Sequence, residues 1–217
     1  TPIAGLYAAG EAASGVFGAN RVADAVTEML VQGYKAGEVA AARASEQTRV
    51  ASDDAAIERA VGVLEKLLSN QGGIAVSEAI DRLGEISDNA LGMVRNETTL
   101  RAGVEAFETL GAEMDGISLR GKSLRYNREL MQALAARNLL ACSRVAAKMA
   151  LERRESRGLH LRDDYSYIDN ENWQVRQLAE LVNGEDKLSK KVPVVTRIPL
   201  RKAEKIDYES FILEEDL

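Results

Sequence analysis

The sequence predicts a mainly α chain, in which a C-terminal helical bundle follows one strand and one helix of an α/β domain. Three observations carry this. Apolar residues recur at three-to-four spacing in four stretches between Ser52 and Ser156, the period of a helix with one buried face. Only three prolines interrupt 217 alanine-rich residues, a composition that favours helix. Finally, the apolar run Ile3 to Ala9 is short enough for a buried strand, and Gly10 breaks it.

After Gly10 comes Glu11, then a small-residue loop with Gly15 and Gly18, then Asn20 and Arg21 before a helical pattern from about Ala23 to Ala42. Strand, glycine turn and helix N-terminus together bring backbone N–H groups up to an anion or a polar ring edge. A carboxylate at the strand end can accept hydrogen bonds from sugar hydroxyls. An arginine at the helix entrance can clamp a carboxylate with two parallel bonds. Gly33 and Gly37 clear one face of this helix for a close neighbour.

A domain boundary is expected near residues 44 to 52, giving units 1–47, 48–158 and 159–217. Ser52 is the expected N-cap of the next helix, with Asp53 and Asp54 in its first turn. Its stripe is Ile57, Ala60, Val61, Leu64, Leu67 and Leu68, ended by Asn70, Gly72 and Gly73. A helix from Ser77 uses Ile80, Leu83, Ile86, Ala90, Leu91 and Val94. Another follows Asn96 and closes at Asp115-Gly116. The longest runs from Asn127 to about Ser156, roughly 45 Å at 1.5 Å per residue. Four such helices with short links predict an up-and-down bundle. Residues 159 to 173 read as an irregular polar segment, Gln174 to Val182 as a short helix capped by Asn183-Gly184, and Val192 to Leu213 as one or two strands.

A net charge of -6 argues against a nucleic-acid partner, which needs a basic surface. One cysteine and one histidine leave neither an intramolecular disulfide nor a His/Cys metal cluster. Cys142 reads as a buried, inert thiol inside a helix. No run reaches membrane-spanning length, and Thr1 opens into a strand-like segment without a signal-peptide pattern. A cytoplasmic location is the expectation.

Two stretches resemble a known family. TPIAGLYAAGEAASGVFGANR followed by LVQGYKAGE resembles the last strand and flavin-contacting helix of the fumarate reductase, succinate dehydrogenase and L-aspartate oxidase flavoproteins. RNLLACSRVAAKMALERRESRGLHLRDDY and Asn172-Trp173 resemble that family's C-terminal helical domain. With the helices between them, the matching regions span most of residues 1 to 175.

The resemblance implies that the opening strand and helix are the last of an FAD-binding α/β domain. It implies that Gly10, Glu11, Ala25 and Val26 bind FAD, Glu11 through ribityl or ribose hydroxyls and Ala25 and Val26 through backbone N–H groups that meet the flavin ring. It implies that Arg21 is catalytic, holding a small carboxylate substrate against the flavin ring. Arg157, His160 and Arg162 then support the active site from an interdomain polar network. On the residues alone, Glu11 could instead be satisfied by loop N–H groups, and Arg21 could pair with Asp24 or Glu28. His160 has two readings, a general acid and a hydrogen-bonded interface residue, and the second is favoured. Trp173, Tyr165 and Tyr167 read as packing anchors. The sequence departs from the family after Arg21, where Val22 to Val26 is one residue shorter, and at Phe17, where a histidine is common. These changes bear on the substrate and not on the flavin.

A lone strand needs neighbours, and no GxGxxG follows a strand in this sequence. The chain is therefore expected to be the C-terminal part of a longer flavoprotein, with the upstream FAD-binding region as its first partner. In isolation it should lack turnover and bind FAD weakly or not at all. The alternative is a helical docking module for an iron–sulfur electron-transfer subunit. Membrane association is expected only through such a partner.

Overall fold

The computed structural model describes residues 3–13, 25–47 and 52–192. In chain order these form a 3-10 turn (Gly10–Ala13), α1 (Ala25–Glu46), α2 (Asp54–Ser69), α3 (Val76–Leu91), β1 (Val94–Arg95), α4 (Glu97–Met114), α5 (Arg128–Glu152), β2 (Leu161–Arg162), β3 (Arg176–Val182) and β4 (Glu185–Lys191). The mainly α class and the helical bundle stand.

The core lies among α3, α4 and α5. Val76, Ala79 and Leu83 of α3 meet Phe107, Leu110 and Met114 of α4, and Leu130, Ala133, Ala136, Leu140 and Ala147 of α5. The buried line of α5 is mostly alanine and serine at three-to-four spacing, so the other two helices approach its backbone closely. α3 and α4 cross where Gly103 faces Ala90; a Cβ on Gly103 would lie 2.2 Å from the Ala90 Cβ.

α2 joins this core through its last turns only. Leu67 is buried and Leu64 and Leu68 pack beside it, whereas Ile57 and Val61 are exposed. The bundle is thus three full helices plus one helix end, rather than the four equal helices that the apolar stripes predict.

Helix ends follow local chemistry. The N-cap of α2 is Asp53, whose carboxylate accepts the Ala56 N–H, while the expected cap, Ser52, donates to Asp54 instead. Asn96 caps α4 in a reciprocal box with Thr99, and Asn127 caps α5 by accepting the Leu130 N–H. Both helices begin where the sequence places them. α3 stops at Leu91, short of Val94, because Val94–Arg95 pairs in parallel with Leu161–Arg162. α5 stops at Glu152 rather than Ser156, about 37 Å long, because a side chain from further along the chain takes its last carbonyls.

Further sequence readings fail in the described residues. Ile3 to Ala9 is irregular chain rather than strand. Gln174 to Val182 is not a helix: Arg176–Val182 pairs antiparallel with Glu185–Lys191. Asn183 (φ 53°) and Gly184 (φ 85°) form the two-residue turn between them. Two successive left-handed residues match the right-handed twist of a hairpin, and Asn-Gly is the pair that adopts them most cheaply. Cys142 is exposed, not buried, because it lies on the outward side of α5, next to the buried line. The strands expected over Val192 to Leu213 lie, beyond Val192, outside the described residues.

Candidate functional site

The sequence-predicted site residues fall in two places. Near the start, Gly10 opens the 3-10 turn with φ 68° and is buried. Its N–H donates to Gln32 Oε1 at 2.7 Å, and Gln32 Nε2 donates to Glu28 Oε1 at 2.8 Å. Met29 packs where a side chain on residue 10 would go. The glycine is therefore required by the turn and by α1 itself, and the next residue, Glu11, is exposed to solvent. Glu11 has no hydrogen-bond partner among the described residues. Ala25 and Val26 begin α1, where the first N–H groups have no intrahelical acceptor. Gly33 and Gly37 leave the face of α1 open: among the described residues nothing comes within 4 Å of where a Cβ would stand on either. A carboxylate that accepts from sugar hydroxyls and helix-start N–H groups that donate to a polar ring edge are the kinds of partner a flavin takes, so the described residues here are compatible with one. Arg21 lies outside the described residues.

The second place is the C-terminal end of α5, where a dense polar network gathers. A helix ends with carbonyls that lack partners. Here Arg162 supplies the donors. Its side chain is completely buried, and Nη1 donates to the carbonyls of Ala150 at 2.8 Å and Arg153 at 3.2 Å. Nε and Nη2 form a two-pronged pair with Asp164 at 2.7 and 2.6 Å. A cation at this end also complements the helix dipole. α5 stops at Glu152 because Arg162 takes the carbonyls that another turn would use. Tyr165 lies against the guanidinium, 5.0 Å from ring centre to carbon.

Glu155 is the second centre of this network, and sequence reasoning missed it. It is fully buried and accepts from Arg157 Nε at 2.9 Å, Arg157 Nη2 at 3.0 Å, the Asp169 N–H at 2.9 Å, and Arg153. Burial alone would raise its pKa, but the bonds from Arg157, Asp169 and Arg153 outweigh it and hold the carboxyl below the usual range. Arg153 also lies over Trp173, which carries Lys190 Nζ 3.7 Å from its ring centre. Trp173 is the packing anchor expected of it, whereas Tyr167 is exposed. The available signal for Glu155 is an acid flanked at two residues on either side by Arg153 and Arg157, in a segment too short of apolar residues to be helix.

His160 sits between two arginines. Its Nδ1 is 3.0 Å from Arg95 Nη1, and Nε2 is 3.4 Å from the Arg153 carbonyl. Arginine can only donate, so Nδ1 accepts and Nε2 carries the proton. Burial lowers the histidine pKa; the hydrogen bond to the Arg153 carbonyl opposes it, and the charges of Arg95, Arg153 and Arg162 add to the lowering. The ring is neutral and committed to holding Arg95, whose other nitrogens cap α3 at Gly92 and Leu91. This is the bonding of an interface histidine. Arg157, His160 and Arg162 are thus brought together, and the network ties α3, α5 and the 155–173 segment into one piece.

Fold and network together describe a helical domain whose last long helix ends in a buried ionic network. The chain belongs to the family described as the fumarate reductase flavoprotein C-terminal region, whose model matches residues 80–207. The fumarate reductase flavoprotein subunit of Haemophilus influenzae is 33% identical over 183 residues, covering 82% of this chain and 31% of that protein. The mitochondrial succinate dehydrogenase [ubiquinone] flavoprotein subunit of rice is 28% identical over 190 residues, covering 86% and 30%. Among solved structures, E. coli quinol fumarate reductase superposes with a TM-score of 0.78 at 26% identity, over 88% of this chain and 34% of that one. The chain spans about a third of the length of these relatives. Among the described residues no helix is long and apolar enough to cross a membrane.

Proposed function

We propose that this chain works as the C-terminal region of an FAD-dependent oxidoreductase of the fumarate reductase and succinate dehydrogenase type, which moves hydride between flavin and a carboxylate-bearing substrate. The observation that carries this reading is the RESRGLHLRDDY segment, folded as a buried ionic knot on the end of α5 within the family-matched region. Bound FAD supplies the hydride acceptor and donor. Glu11 accepts hydrogen bonds from its hydroxyls, and the Ala25 and Val26 N–H groups meet the polar ring edge. Gly10 makes the turn that presents Glu11. Arg21 clamps the substrate carboxylate, positioning the reacting carbon and drawing charge as hydride moves. Arg157, His160 and Arg162 hold the bundle rigid against the flavin domain, and none of the three moves a proton.

In this reading residues 1–47 complete the flavin domain, 48–158 form the bundle and 159–217 lie between them. The first partner is the upstream FAD-binding region of the same protein; an iron–sulfur subunit is the second, and the complex is cytoplasmic. A second reading makes the chain a docking module for an iron–sulfur partner without catalysis of its own. It is favoured by the exposed group Met93, Val94, Leu159 and Leu161 around the β1–β2 pair, since an apolar patch of this kind marks a contact surface.

The test is Arg21→Gln in the protein carrying its upstream region. The variant is expected to keep its flavin while kcat/KM for the carboxylate substrate falls about a hundredfold or more. Unchanged turnover in a flavin-loaded variant would exclude Arg21 as the clamp. A protein that holds no flavin and only binds an iron–sulfur subunit would favour the docking reading.

A further inference from the structure

The loop between α4 and α5 carries charge of the opposite sign to the rest of the chain. Residues 120–128 contain Arg120, Lys122, Arg125 and Arg128 and no acid, in a chain of net charge -6. Between these cations stand Leu124, exposed, and Tyr126, fully exposed. Tyr126 has φ 52°, a left-handed conformation that is unfavourable for a bulky residue. The ring projects into solvent, and what this conformation serves is the backbone: the Tyr126 carbonyl accepts the Arg128 N–H at 3.1 Å, and the next residue, Asn127, caps α5.

The loop is nonetheless held in place. Asn127 Nδ2 donates to the carbonyls of Gly121 and Ser123, both at 2.8 Å. Glu129 Oε2 accepts the N–H groups of Arg120 at 2.8 Å and Gly121 at 3.3 Å. Lys122 Nζ reaches across to cap α2 at the Asn70 carbonyl, 2.7 Å away. The Arg125 N–H is bound by Ser123 Oγ at 3.1 Å. A strained tyrosine is thus presented on a braced platform, flanked by arginines.

We propose that the 120–128 loop is a docking site for a partner protein whose facing surface is acidic and has an apolar centre. Tyrosine and arginine are the residues that most often dominate protein interfaces, and a loop already fixed loses little freedom on binding. Arg125 and Arg128 match carboxylates, as does Arg120, whose side chain is 93% exposed and touches Glu129 Oε1 only at 3.4 Å, and Tyr126 with Leu124 fills the apolar centre. The positive field speeds encounter with an acidic face and repels a basic one. Such docking needs neither flavin nor turnover, so it stands apart from the oxidoreductase reading. An anionic lipid surface would also attract these cations, but two apolar side chains separated by Arg125 offer little to insert.

The experiment uses the 217-residue chain and a fluorescent peptide of alternating glutamate and leucine as the acidic probe, read by anisotropy. Binding is expected at low ionic strength and to weaken steeply from about 20 to about 200 mM NaCl. Arg120→Glu with Arg125→Glu should lower affinity at least tenfold and flatten the salt dependence. Tyr126→Gly should lower affinity about fivefold while the thermal midpoint stays level or rises, since glycine relieves the left-handed strain; a tyrosine with a structural role would do the reverse. Equal affinity of the charge-reversed and parent chains would overturn the proposal. So would retention on vesicles of phosphatidylglycerol and phosphatidylcholine without peptide binding, or self-association of the chain that the same substitutions abolish.

Discussion

Replacing Arg162 by methionine should be the most damaging single change outside the hydrophobic core. The guanidinium is fully buried, caps α5 at Ala150 and Arg153, and neutralises Asp164. Methionine restores the bulk but none of the donors. Removing one partner of a buried ion pair costs about 3–5 kcal/mol, because the other charge stays behind unpaired. Asp164 is 27% exposed and keeps the Glu97 N–H at 2.7 Å, which places the loss at the lower end, about 3 kcal/mol. At this chain length each kcal/mol shifts the melting midpoint by about 2–4 °C, so a fall of about 6–12 °C is expected. Equilibrium urea unfolding of the parent chain, Arg162→Met, Asp164→Leu and the double variant closes a thermodynamic cycle. The double variant should recover more than half of the Arg162→Met loss, since the orphaned charge has gone. A single variant within about 0.5 kcal/mol of the parent, the range of an ordinary surface change, would refute the reasoning.

Other outcomes follow from the same geometry. Glu155 has a folded pKa below its unfolded value, so over that window the unfolded chain binds more protons and stability falls as pH drops through the usual carboxylate value of about 4.3. His160 works in the same direction below about pH 6.5, because its ring resists protonation only when folded. Glu155→Gln should therefore lower stability at neutral pH and flatten the loss on acidification, measured by urea midpoints across pH. Gly103→Ala would drive a Cβ into Ala90 and should cost about 1–3 kcal/mol, with partial recovery on adding Ala90→Gly. Gly184→Val places a β-branched residue at φ 85° and should unpair the hairpin, read as loss of amide exchange protection over 176–191 with the bundle unaffected.

The bundle is legible in the sequence because its signals are local. Asn96 and Asn127 stand directly before apolar periodicity, and each accepts the N–H three residues on. The core stripes of α3, α4 and α5 repeat at helical spacing without a proline. What fails depends on distant partners. Periodicity carries α5 too far because the side chain that terminates it, Arg162, lies ten residues beyond Glu152 and only folding brings it back. Ile3 to Ala9 has strand composition, yet a strand exists only with a neighbour. Asn183-Gly184 reads as a helix cap, where one left-handed residue suffices; the charged alternation of Glu185 to Lys191 makes it a hairpin turn that needs two. In the candidate site the spacing of RESRGLHLRDDY marks Arg157, His160 and Arg162, but the acid near its start, Glu155, is buried only once the chain returns and the Asp169 N–H, 14 residues on, joins its neighbours Arg153 and Arg157 as a donor. Arg95 is invisible for the same reason, since its partners are a helix end and a histidine 65 residues away.

The central claim is that the Gly10–Val26 region grips a flavin and a carboxylate side by side. It is tested most directly by titrating the flavin-loaded protein, with its upstream region, against small dicarboxylates while following the visible flavin absorbance. The account predicts a saturable spectral change that Arg21→Gln removes without releasing flavin, and flavin loss in Glu11→Ala. Full flavin occupancy in Glu11→Ala together with an unaltered titration in Arg21→Gln would contradict it.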